Sequence, residues 1–307
     1  MTAPDVVIAL DVGGTQIKGA LVDAARTVHH TRRVDTGAHR GPAAVVRTIV
    51  DLAKRLARTA RESGLTAVAV GLAAPGVVDE ADGVAIWSAN LGLRSVPLRD
   101  IVAADLGLPV ALGHDVRAGA VAEARFGAGR GVGTAWFVAI GTGIAGAYVV
   151  DGRTDPGSSG RSGEIGHVVV RPAGPPCGCG GLGCLEAIAS ATAVARRYER
   201  RSGRTATART VAMLAGSGDD TARAVWAETV AALADGLSIG VTLYDPGTVV
   251  IGGGLALAGP LLFTPLVEAL DRRLTLTPAP PVVPAALGDQ AGCRGAAELA
   301  LDMMTRV

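Results

Sequence analysis

Between Gly163 and Glu186 the chain reads G-E-I-G-H-V-V-V-R-P-A-G-P-P-C-G-C-G-G-L-G-C-L-E, and no other stretch limits the fold so tightly. His167, Cys177, Cys179 and Cys184 supply one imidazole and three thiols, the donor set of a closed tetrahedral zinc site. Glycines and prolines separate the donors and let the backbone turn tightly around an ion. Cys177 and Cys179 are too close in sequence to bridge one another comfortably, and Cys293 stands alone far downstream. An odd cluster in a chain of this size is not a disulfide framework. Four protein donors leave no coordination position for water, so the metal is expected to brace structure. Glu164 and Glu186 flank the cluster without being needed to complete it.

A chain of 307 residues, 49% of them hydrophobic, can hold two domains with substantial cores. Net charge is +1, aromatics make up 3%, and no basic run occurs, which leaves no cationic, base-stacking surface for nucleic acid. The opening M-T-A-P-D lacks a cationic segment followed by an apolar core, so no signal peptide is expected. Two uncharged stretches, 131–150 and 246–267, are long enough to resemble membrane spans. Their glycines and prolines predict buried strands and turns instead. The expectation is a cytoplasmic protein with no membrane partner, and a thiol-rich metal site suits a reducing compartment.

Residues 6–10 form an apolar run ending at Asp11, followed by V-G-G-T and an alternating run to Asp23. This pattern predicts strand, glycine turn and strand. Residues 42–64 predict a helix, with Val45, Ile49, Leu52 and Leu56 on one face, Pro42 at its start and Gly64 at its end. Further strands are expected at 67–72, 109–112 and 248–251, and further helices at 116–126, 185–201, 219–244 and 294–304. Residues 202–210 read as a loop. The strand–turn–strand pattern of 6–23 returns at 135–151, pointing to an internally duplicated fold with a cleft between halves.

D11-V-G-G-T15 and G141-T-G143 each set glycine beside a threonine hydroxyl, where backbone amides can approach phosphate oxygens. Neither is a P-loop or a dinucleotide fingerprint. With I251-G-G-G254 they make three glycine turns on separate strands. Asp11, Gly13, Gly14, Thr15, Thr142, Gly143, Gly253 and Gly254 are therefore candidates to cradle a nucleotide. Asp115 follows an apolar strand, a position that faces the ligand crevice in open α/β sheets. It is equally placed to cap the helix that starts at Val116, and position alone allows both. Phosphoryl transfer to an alcohol needs a carboxylate to accept the hydroxyl proton and a cation near the phosphates. Asp115 suits the first task, and Asp11 suits holding Mg2+.

Seven segments run in order over nearly the whole chain: D11-V-G-G-T15, A74-P-G76, N90-L, H114-D115, G141-T-G143, G163-E-I-G-H167 through Glu186, and I251-G-G-G254. In this order the chain resembles the ROK family of bacterial sugar kinases, related proteins and repressors, the zinc cluster being the most specific match. The resemblance implies an α/β, actin-like ATPase or ribonuclease H-like fold whose two domains close a central cleft over sugar and ATP. The implied smaller domain takes 1–116 plus 290–307. The implied larger one takes 117–289, with the zinc site and the dimer helices. It also implies a homodimer or homotetramer, with ATP, Mg2+ and structural Zn2+ as cofactors.

Carried onto this chain, Asp115 becomes the general base for a sugar hydroxyl, commonly O6 of a hexose. Gly76, Asn90, His114, Glu164, His167 and Glu186 join it in holding the sugar, with His167 serving metal and sugar at once. Several positions depart from the family pattern. His114 and Arg117 stand where asparagines are usual, Leu93 where tryptophan is common, Ala145 for glycine and Gln16 for lysine. The implied activity is ATP-dependent hexose phosphorylation, glucose to glucose 6-phosphate first. Alternatives are a kinase for fructose, N-acetylmannosamine or N-acetylglucosamine, or a non-catalytic sugar-binding protein, the last suggested by His114 and Arg117. A repressor would carry a winged helix-turn-helix ahead of the first glycine turn, where only ten residues stand.

Overall fold

The computed structural model describes residues 3–305. Of these, 3–122, 155–162 and 289–305 form one compact unit, and 123–154 with 163–288 form a second. The sequence-based boundaries, at 116 and 289, do not separate residues 155–162 in this way.

In the first unit, β1 (Asp5–Val12) pairs antiparallel with β2 (Gln16–Asp23), and β2 with β3 (Val28–Asp35). Helix α1 (Pro42–Glu62) returns the chain to β4 (Thr66–Ala74), parallel to β1. Three short strands, β5 (Val77–Asp79), β6 (Val84–Ser88) and β7 (Leu93–Val96), make a separate antiparallel sheet. Helix α2 (Leu98–Leu106) leads to β8 (Val110–His114), parallel to β4, and α3 (Asp115–Phe126) follows at once. The main sheet runs β3-β2-β1-β4-β8.

The apolar run of β1 is explained by burial on both faces. Val6, Ile8 and Leu10 share a core with Ile49, Leu52 and Leu56 of α1. Val7 and Ala9 face the other way, into a cluster with Ala296, Ala297 and Ala300. Those three belong to the last helix, labelled α9 (Ala291–Thr305) in chain order. The contact with β4 is close enough that a methyl group on Gly71 would lie 1.8 Å from the Ala296 carbonyl oxygen.

The second unit repeats the arrangement. Its strands are β9 (Thr134–Ile140), β10 (Ile144–Val150), β11 (Arg153–Thr154), β12 (Thr248–Gly252) and β13 (Val282–Pro284), ordered β11-β10-β9-β12-β13. As in the first unit, an antiparallel hairpin (β9–β10) adjoins a parallel neighbour (β12). The expected duplication and the actin-like, ribonuclease H-like α/β fold are present in these two sheets. The 131–150 stretch is the β9–β10 hairpin, and 246–267 contains β12 and the start of a helix.

The helices of this unit are α4 (Leu185–Ala189), α5 (Ala191–Ser202), α6 (Ala208–Gly216), α7 (Asp220–Tyr244) and α8 (Pro260–Asp271). The single helix expected at 185–201 is two, because Ser190 adopts extended backbone and its Oγ accepts the Ala193 N–H at 3.1 Å, capping α5. The loop expected at 202–210 gives way to α6, capped by Thr207. Helix α7 is long and apolar enough by length and composition to cross a membrane. Yet 61% of its most apolar window is buried, in a core with Trp136, Val138 and Leu185.

Candidate functional site

In the first unit the glycine turn between β1 and β2 is held by a residue the sequence reading passed over. Thr36 is fully buried; its Oγ1 donates to the Gly13 carbonyl at 2.6 Å and its N–H to the Thr15 carbonyl at 2.9 Å. Thr36 thereby ties down the carbonyls at both ends of Gly13–Gly14–Thr15, and the Gly13 N–H donates to the Gln16 carbonyl at 3.0 Å. A methyl on Gly14 would come 3.2 Å from Asn90 Cβ, so the candidate sugar contact Asn90 lies against the candidate phosphate turn. Asp11 is the penultimate residue of β1, with Lys18 Nζ 3.7 Å from its Oδ2. Burial raises Asp11 to about 6; Lys18 pulls it down, and the charge of Asp115 pushes it up. Gly76 lies in the turn joining β4 to β5.

His114 ends β8 and Asp115 is the first residue of α3, one position ahead of the helix start expected at Val116. Asp115 Oδ1 accepts the Val116 N–H at 2.7 Å, on the first turn of the helix, and the carboxylate stands at the carboxyl end of a parallel strand. Burial raises Asp115 to about 6, against the opposing pull of the Val116 N–H and the Arg117 charge. His114 is 5% exposed, with Nε2 3.4 Å from Asp115 Oδ1 and Nδ1 buried without a hydrogen-bond partner. Burial, aided by Arg117, lowers His114 to about 4, so its ring is neutral near pH 7.

The second unit brings its own glycine turns together at adjacent strand ends. In Gly141-Thr142-Gly143 the Gly141 N–H donates to the Gly143 carbonyl at 2.9 Å, and the Gly141 carbonyl accepts the Ala191 N–H at 2.8 Å. Gly253 follows β12 with φ of +81°, and a methyl there would lie 2.4 Å from the Ile140 carbonyl. Gly254 has open space where a side chain would be. Glu186, in the first turn of α4, reaches the same place: its Oε2 accepts the Ile144 N–H at 2.9 Å.

His167, Cys177, Cys179 and Cys184 converge, with all four ligand atoms within 4.8 Å of one another. His167 Nδ1 is 3.6 Å from Cys177 Sγ, and Cys179 Sγ is 3.7 Å from Cys184 Sγ. The knuckle is shaped by a tight turn in which the Gly180 N–H donates to Cys177 O at 3.0 Å and the Cys177 N–H to Gly181 O at 2.8 Å. Burial pushes the Cys184 thiol up to about 12, so a thiolate there calls for a cation beside it. Three sulfurs and one imidazole at this spacing fit a four-coordinate zinc ion. The other ring nitrogen, His167 Nε2, faces away from the sulfurs to Glu164, 3.7 Å from its Oε2. Each nitrogen of His167 thus has a separate neighbour, as a double role requires.

Comparison with known proteins agrees with this geometry. The glucokinase of Thermotoga maritima is 34% identical, over 95% of this chain and 96% of that protein. The crystal structure of a ROK hexokinase from Thermus thermophilus superposes with a TM-score of 0.88 at 35% identity, covering 98% of this chain and 100% of that one. A ROK family glucokinase from Streptomyces griseus, solved in complex with glucose and AMPPNP, gives a TM-score of 0.82 at 30% identity over 97% and 99% of the two chains. Residues 7–303 match the ROK family as a whole, and the chain belongs to that family.

Proposed function

We propose that this protein is an ATP-dependent hexose kinase that converts glucose to glucose 6-phosphate. The observation that carries the reading is Asp115: a carboxylate at a strand end, titrating at about 6 and so ionised at neutral pH, in the unit that also holds the Asp11 and Gly13–Gly14 turn. The likeness to a glucokinase solved with glucose and AMPPNP supports the choice of sugar and donor.

The chemistry follows from these residues. Asp115 accepts the proton of the sugar hydroxyl as that oxygen bonds to the γ-phosphorus of ATP. The bond from that phosphorus to the bridging oxygen breaks, leaving ADP and the sugar phosphate. Mg2+ supplies positive charge to the phosphates when bound, and Asp11 is the carboxylate placed to hold it. Gly14, Thr15, Thr142, Gly143, Gly253 and Gly254 offer backbone amides and hydroxyls to the nucleotide phosphates, while Gly13, whose N–H donates to the Gln16 carbonyl at 3.0 Å, closes the turn. Gly76, Asn90, His114, Glu164, His167 and Glu186 orient the sugar. Zinc on His167 and the three cysteines braces Glu164, His167 and Glu186 as a preorganised wall. The assembly is a homodimer or homotetramer, a reading supported by Leu243 and Tyr244, exposed at 71% and 39% on the end of α7.

ADP release over a panel of sugars with ATP and Mg2+, alongside Asp115→Asn, tests the proposal. Glucose should stimulate release well above the variant's background. Release that no sugar raises above that background would overturn the reading.

A further inference from the structure

A buried arginine and a half-buried glutamate near the end of β8 have no task in the chemistry above. Arg117 is 2% exposed and stands two residues beyond Asp115 on α3. Its Nε and Nη2 both donate to Glu80 Oε1, at 2.9 and 2.7 Å. Glu80 comes from the turn between β5 and β6, and the same oxygen accepts the backbone N–H of His114 at 3.3 Å. Nη1 of Arg117 donates to the carbonyls of Gly160 and Ser162, at 3.3 and 3.5 Å. Gly160 has φ of +71° and no room for a side chain, because a methyl there would lie 2.4 Å from the Val78 carbonyl. One guanidinium therefore joins the end of β8, the β5–β6 hairpin and the 155–162 segment.

An ion pair with one buried partner is a poor device for stability alone, since desolvating the buried charge offsets much of the attraction. What it does impose is geometry and a local field. The Arg117 charge opposes the effect of burial at Asp115 and adds to it at His114. The remaining charges around this pair are Glu80 from the hairpin and Asp11 from β1, with Lys18 of β2 beside Asp11.

Resting on the kinase reading, we propose that Arg117 and Glu80 are positioning residues for Asp115. The guanidinium keeps the His114–Asp115 pair as neutral imidazole and carboxylate, and its fork holds the hairpin and residues 155–162 against the base. Arginine suits this task because its charge is permanent and its planar fork fixes direction.

The test follows the pair without substrate. In metal-free buffer, carbon-13 aspartate and nitrogen-15 histidine NMR report the two titrations, with Asp115→Asn assigning the base. Arg117→Gln removes a cation, so the pair should take up its proton at higher pH than in the parent. Glu80→Gln removes an anion, so uptake should move to lower pH. Arg117→Lys keeps the charge and loses the fork, leaving the titration near the parent's while kcat falls roughly tenfold or more. The acidic limb of kcat/KM should shift in the same opposite directions for the two neutral variants.

A loosened structure would move both variants the same way, so shifts of equal sign, or none in either, would overturn the proposal. If Arg117→Gln does not fold, Glu80→Gln decides: an unmoved titration there sinks the idea. Opposite shifts in a protein that phosphorylates no sugar would overturn the kinase reading and leave the role of Arg117 and Glu80 toward Asp115 in place.

Discussion

Glu186 Oε2 accepts the backbone N–H of Ile144 at 2.9 Å, so a candidate sugar ligand is hydrogen-bonded to the end of a candidate phosphate turn. A methyl on Gly143 would sit 2.5 Å from that same oxygen. Glycine at 143 therefore has a steric task as well as its candidate place beside phosphate. It leaves space for the Glu186 carboxylate.

Gly143→Ala should displace the Glu186 carboxylate, which can swing, rather than unfold the turn. We expect KM for sugar and for ATP to rise together by about tenfold, the equivalent of one hydrogen bond to a charged group. Glu186→Ala should do the same to both constants. Initial-rate kinetics varying each substrate in turn check this; a change confined to ATP would show that Glu186 does not link the two.

Asp115→Asn should lower kcat by roughly a hundredfold to ten-thousandfold with KM for sugar little changed, as loss of a general base does. In the parent protein kcat/KM should climb as pH rises through about 6, where burial places Asp115. A flat profile from pH 5 to about 8 would remove Asp115 from that role.

Asp11 and Asp115 both hold their protons more tightly folded than unfolded, each raised to about 6 by burial. Between the ordinary aspartate value of about 4 and about 6 the folded chain binds more protons, so stability falls as pH rises through that window. Asp115→Asn, neutral at every pH, removes its share of that loss. Its Tm should exceed the parent's by a few degrees at pH 8, with the gain vanishing near pH 4. Calorimetry at the two pH values measures it.

For the Cys3His knuckle, denatured protein should release about one zinc per chain. Stripping the metal, or making Cys184→Ser, should lower Tm and raise KM for sugar together, because an ion on these four donors would fix His167. Metal-free protein of unchanged Tm and sugar affinity would contradict this.

Gly240→Ala should destabilise by about 1–3 kcal/mol through overpacking, since the added methyl would meet the Trp136 ring at 2.1 Å. Urea denaturation gives the value, and a variant as stable as the parent would show that α7 can retreat.

Local pattern carried much of this structure. The apolar runs of β1 and β9 and the periodic face of α1 were legible because each is buried in a regular period. The Cys3His cluster was legible because its four donors lie close in sequence at a spacing that suits a metal. Ser190 was not read as a break, because a serine is as acceptable within a helix pattern as at its cap, and only the Ala193 N–H distinguishes the two. Thr36 and Glu80 were invisible for another reason: each acts on residues remote in sequence, Thr36 on Gly13 and Glu80 on Arg117. The turn at Glu80 carries acids on both sides and reads as solvated surface. Asp115 was visible as an acid at a strand end, but its titration is set by burial and opposed by the Val116 N–H and by Arg117, whose bonds to Gly160 and Ser162 no spacing foretells.

Helix α9 is packed on β1 and β4 of the unit that begins the chain. On a ribosome, the residues of the second unit, ending at 288, all emerge before that helix does. The unit whose synthesis starts first is thus completed last. Until then Val7, Ala9, Ala69 and Ala73 form an uncovered apolar face on a nascent sheet. Vectorial synthesis therefore leaves the half that carries Asp115 without its last apolar cover until the end of translation.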